Sequence, residues 1–86
     1  MTMIFWEDHG EDRYWRAMVD GGGCVGHIAF VGVAGVYSGW VEAGRPGAML
    51  KATYSSHSLT DSMLWLGRAY VHLSEAMKEL APGADE

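Results

Sequence analysis

Two hydrophobic periods divide the chain. Up to Tyr54, apolar residues come in short runs rich in β-branched and aromatic side chains, broken by Gly, Pro and acidic clusters; after His57 they recur at steps of four and three. The first pattern is that of strands and the second that of an α-helix. Residues 3–6 and 13–19 predict a first hairpin around Asp8, His9, Gly10 and Glu11. With His9 and Gly10 as a two-residue loop, Ile4 would face Trp15 and Phe5 would face Tyr14. The glycines at 21, 22 and 23 break the chain before a third strand over 25–31. Gly32 and Gly35 bracket a turn into a fourth strand over 36–42. Gly44, Arg45, Pro46 and Gly47 have the chemistry of a tight turn, and 49–54 predicts a fifth strand.

The helical stripe is Leu59, Met63, Leu66, Tyr70, Leu73, Met77 and Leu80, all on one face. Ser58 is placed to cap it, with Asp61 three positions on, near the positive end of the helix dipole. Pro82 and Gly83 should end the helix, leaving 84–86 to fray. The expectation is one α+β domain over 1–86: a twisted antiparallel sheet of four to five meander strands (2–55), packed on one long C-terminal helix (58–80), with a tail at 82–86. Glycines in the third and fourth strands would let the sheet curl.

That pattern leaves too much apolar surface for one helix to cover. In the first hairpin Ile4, Trp6, Trp15 and Ala17 share one face, while Met3, Phe5, Tyr14 and Met18 share the other; the fourth strand likewise lacks a clean polar side. A sheet with one solvated face should alternate apolar with polar. A second covering is therefore expected: a tight curl, a second copy of the chain or a foreign protein. Trp6, Trp15, Trp40 and Trp65 are the candidate apolar anchors, since Trp is a frequent interface anchor. Trp65 lies off the helical stripe, beside Asp61, Arg68 and His72, and either packs on a sheet edge or is offered to a partner.

Charge narrows the partners. Eleven acids against six bases give a net charge of −5 and a pI near 5.2, which opposes binding to nucleic-acid phosphates. Glu7, Asp8, Glu11 and Asp12 put four acids in six residues at the first turn. They read as a solubilising hairpin tip or as an acidic prong for a basic groove. The uncharged stretch between Asp20 and Glu42 is long enough to span a bilayer as a helix. Its seven glycines and β-branched residues favour two strands instead, and no membrane association is expected. A single cysteine and the absence of a basic, apolar leader point to the cytoplasm.

No catalytic or cofactor motif emerges. Cys24 and His27 would point to opposite faces of an extended strand, so a shared metal would need a bend at Gly26. The glycines match neither a P-loop nor a dinucleotide fingerprint, and no nucleophile elbow surrounds a serine. The expectation is a non-enzymatic chain without cofactor or metal. Strands followed by a helix resemble the double-stranded RNA-binding module in topology only. An N-terminal helix is lacking, and Ser58, Thr60 and Asp61 stand where that module carries basic residues. In size, acidity and aromatic content the chain resembles the small proteins that bacteriophages and mobile elements encode against host defences, anti-CRISPR proteins among them. That resemblance implies an inhibitor occupying a basic channel or subunit interface on a host complex, with Glu7, Asp8, Glu11 and Asp12 supplying charge and the four tryptophans supplying contact. The alternative is a homodimer closed through the aromatic sheet face.

Overall fold

A computed structural model describes residues 3–21, 23–45 and 48–80. Five strands, β1 (Ile4–His9), β2 (Tyr14–Val19), β3 (Gly23–Val31), β4 (Val36–Arg45) and β5 (Ala48–Ser56), form one antiparallel sheet in chain order, followed by the helix α1 (Leu59–Leu80). This is the expected α+β meander. Pro46 and Gly47 of the predicted turn, Gly22, and the tail at 82–86 lie outside the described residues.

The first hairpin differs in register. Ile4 pairs with Val19 and His9 with Tyr14, because the connection is not two residues but a 3₁₀ turn, Gly10–Asp12, closed by Arg13 in the left-handed region at φ 62°. The Asp8 carboxylate accepts the Gly10 N–H at 2.8 Å and fixes the entry to that turn. Relative to the expected register the strands have slid by an even number of residues. The faces are therefore unchanged: Ile4, Trp6, Trp15 and Ala17 still share one side.

Helix α1 starts as the capping chemistry requires, with the Asp61 N–H donating to the Ser58 hydroxyl at 3.2 Å. It packs across β4 and β5 and touches β3. Its innermost side chains are Leu66 and Ser62, both fully buried. Ser62 keeps its hydroxyl satisfied on the Tyr37 carbonyl at 3.4 Å. Leu66 joins Ala17, Ile28 and Val41 in the core, with Trp6, Trp15, Tyr37 and Tyr70 around them.

Two of the strand glycines, Gly26 and Gly39, serve this contact. A Cβ at Gly26 would lie 2.7 Å from the Trp40 carbonyl oxygen and 2.9 Å from Leu66 Cδ1, and one at Gly39 would lie 3.1 Å from Ile28 Cγ1. Gly26 is the floor under Leu66. Since a carbonyl cannot swing aside as a side chain can, Gly26→Ala should destabilise the fold by about 1–3 kcal/mol through overpacking. Gly39→Ala should cost less, and Leu66→Ala about 2–5 kcal/mol through the cavity it leaves. Denaturant titration of the three variants checks that order.

Candidate functional site

The single helix leaves the opposite side of the sheet uncovered by any other described element. Cross-strand pairing assigns its residues: Phe5, Glu7 and His9 on β1, Tyr14, Arg16 and Met18 on β2, His27 on β3, Trp40 and Glu42 on β4, Lys51 and Thr53 on β5. Phe5 is 52% exposed there.

One residue from each strand builds a row across this face. His9 stacks on Tyr14 with ring centroids 4.5 Å apart and planes 13° from parallel. Tyr14 stacks on His27 at 5.3 Å and 23°, and His27 on Trp40 at 6.3 Å and 20°. The Lys51 ammonium closes the row 5.1 Å from the Trp40 ring. Near-parallel rings this close lie face to face or offset. Each inner ring therefore spends its faces on its neighbours, and the open side of the sheet meets ring rims.

Opposite charges on this face lie across from one another on neighbouring strands. Arg16 Nη1 donates to Glu7 Oε1 at 3.2 Å, and His9 Nε2 shares that same oxygen. The His9 hydrogen bond and the Arg16 charge hold the Glu7 carboxyl below its ordinary value. The Arg16 guanidinium is raised, through the Cys24 sulfur beside it first and the Glu7 charge next. Glu42 and Lys51 are directly paired on β4 and β5.

Not all the predicted site residues gather here. Trp40 alone of the four tryptophans lies on the open face. Trp6 and Trp15 pack on the helix side, Trp15 tilted against Tyr37 at 5.8 Å. Trp65 stacks on Tyr54 of β5 at 5.0 Å and 20°, which places it against the sheet edge. Of the four turn acids, Glu7 belongs to the ion-paired face. Asp8 holds the turn, and Glu11 and Asp12 are exposed within it. These last three line a shallow open concavity with His9 and Gly10 at the His9 end of the row.

Cys24 and His27 do share a face, contrary to the expectation for a regular strand. Val25 is an extra residue in β3 where the pairing with β2 shifts, so Met18 faces Cys24 while Arg16 faces His27. The Cys24 thiol donates to the Gly26 carbonyl at 3.1 Å. No group of three or more metal-ligating side chains occurs among the described residues. None of their helices is long and apolar enough to cross a membrane, and the uncharged stretch from 21 to 41 forms β3 and most of β4. Comparison with protein-family models, curated proteins and solved structures finds no match.

The row itself escaped the sequence. His9, Tyr14, His27 and Trp40 become neighbours only in the correct register of four strands, and a two-residue first loop puts His9 out of reach of Tyr14.

His27 gives the row a pH signature. Burial first, and the Arg16 charge second, lower its pKa from 6.5. The folded chain thus holds that proton less tightly than the unfolded one. The stability this contributes is fully present above about pH 6.5 and is lost as pH falls through the lowered value. Glu7, also lowered, acts only below its ordinary 4.5. His27→Gln should flatten the fall in thermal midpoint just below pH 6.5 and leave the fall below 4.5 in place, which melting curves across that range will show.

Proposed function

We propose that the chain is a non-enzymatic protein-binding module and that the open sheet face is its contact surface. The stacked row of His9, Tyr14, His27, Trp40 and Lys51 carries this reading. Its side chains are held in place before any partner arrives, so little rotamer entropy remains to be lost on binding. Stacked rings with apolar Phe5 and Met18 nearby have the composition of an interface centre, while the paired charges suit a rim.

Nucleic acid is a poor fit. Single-stranded binding needs free aromatic faces and a surplus of cations, whereas these rings face one another and Glu7 and Glu42 offset Arg16 and Lys51. A protein with a basic rim fits better, because Asp8, Glu11 and Asp12 stand at one end of the row and would steer it by charge. A basic channel or subunit surface of a host nucleic-acid-processing complex, such as a CRISPR effector, has that chemistry. Inhibition by occupancy is the mechanism it implies. The second reading is a homodimer closed face to face, favoured by the balance of charges on this surface, which lets it meet its own copy without net repulsion.

The experiment is affinity capture from a host lysate by the wild-type chain, with the captured complex then titrated against variants. Trp40→Ala with Tyr14→Ala should weaken binding at least tenfold, the loss expected when central aromatic anchors are truncated. Glu11→Gln with Asp12→Asn should slow association and reduce its salt dependence. Equal affinity of folded wild-type and Trp40/Tyr14 variants would remove the open face as the contact.

A further inference from the structure

The two edges of the sheet are not alike. The outer strand β1 is six residues long, contains Glu7 and Asp8, and runs into the acidic turn. Charge and shortness are how natural sheets stop an edge from pairing with another chain. The outer strand β5 is nine residues long, contains Lys51 as its one charge, and pairs with β4 from Ala48 to Ser56 without a register shift. No described residue pairs with its outer side. At about 3.4 Å per residue this is a seam of about 30 Å of unpaired backbone. Beside it Tyr54, 39% exposed, stacks on Trp65 and leaves an aromatic shoulder on the helix side of the edge.

We infer that β5 pairs antiparallel with β5 of a second copy of this chain, joining two sheets into one of ten strands. The sequence of β5 is self-complementary in one register. A two-fold axis normal to the sheet keeps both helices on the same face and pairs residues whose numbers have a fixed even sum. Centring the axis on Ala52, the midpoint of the strand, overlaps all nine residues. Lys51 then faces Thr53 of the other copy, and Leu50 faces the other copy's Tyr54. Centring on Lys51 sets like charges directly opposite each other, which is unfavourable; centring on Thr53 leaves only seven residues overlapping. The Ala52 register extends the Trp65 and Tyr54 stack onto Leu50 of the second copy, twice, by symmetry. It leaves the His9, Tyr14, His27 and Trp40 rings of the open face free, with only Lys51 and Thr53 at the seam, so this pairing stands or falls apart from the function proposed above.

Thr53 provides the test, being exposed, opposite Trp40 and two residues from Lys51 on the same face of its own strand. In the Ala52 register Thr53→Glu creates two Glu–Lys51 pairs across the seam and Thr53→Lys creates two Lys–Lys51 clashes. From reciprocal pairs, association should strengthen about fivefold for Glu and weaken about fivefold for Lys. Overall charge predicts the opposite order. Adding Glu to a chain of net charge −5 raises mutual repulsion, and adding Lys lowers it. Sedimentation equilibrium from about 10 µM to about 1 mM, the range for a small interface, reads the constants, with melting curves showing that each variant folds. The inference requires a wild-type dimer, Glu above and Lys below wild type, and no effect of Trp40→Ala beyond twofold. A monomer throughout overturns it, as does the reversed order or equal weakening by both Thr53 variants. A dimer that Trp40→Ala dissociates and Thr53 variants do not overturns it in favour of face-to-face closure.

Discussion

The seating of Leu66 on Gly26 is the contact from which the rest of the molecule takes its form. A helix lies at about 10 Å from a sheet when both carry side chains; here one strand residue has none, and Leu66 drops to within van der Waals reach of the backbone. Gly39, one strand over, extends the same floor under Ile28 and Trp65. A helix anchored so closely to the middle of the sheet lies mainly over β4 and β5 and reaches β3. Trp6 and Trp15 then have to complete the core from β1 and β2, which is why they turn inward. The face left open among the described residues follows from one helix held at one place.

What that uncovered face became is a matter of how rings satisfy one another. Four rings on adjacent strands, spaced by the sheet itself at about 4.8 Å, are near the distance at which parallel rings stack. Two of the steps, His9 to Tyr14 and His27 to Trp40, join directly paired residues. The step from Tyr14 to His27 is diagonal, as is the one from Trp40 to Lys51. The stacking lowers the penalty for leaving aromatic surface beside water, because most of each inner ring touches another ring. It also makes the face stiff and directional, with an acidic turn at one end and Lys51 at the other.

The sequence made some of this legible and hid the rest for definable reasons. The meander, the helix and its Ser58 cap depend on local period and local turn chemistry, and they emerge from the residues directly. The sidedness of the first hairpin survived an incorrect loop because the error in register was even: Trp6 and Trp15 stay together whether the turn holds two residues or four. Pairings across strands did not survive, and with them went the row of rings. The Val25 bulge was equally hidden, since a strand with an extra residue reads like any other until its partner is known; it carries Cys24 to the side of His27. Gly26 carried a signal, a glycine amid β-branched residues, but curl and close approach share that signal. Only the position of Leu66 reveals the close approach.

The placement of charge ties these surfaces together. A chain of net charge −5 has acids to spare for solubility, and an even scatter would have put several on every surface. Instead Asp8, Glu11 and Asp12 crowd one turn, Glu7 and Glu42 on the open face sit opposite Arg16 and Lys51, and β5 carries no acid at all. Crowding like charges is unfavourable wherever they are not solvated. The turn is exposed, so water and ions screen the repulsion there at little cost to the fold. The same arrangement keeps repulsion away from the stacked row and from the β5 edge, where apolar contact and backbone hydrogen bonds would have to form. Charge crowded at the turn thus leaves the open face, where opposite charges sit across from one another, and the β5 edge, with Lys51 as its one charge, able to touch something else.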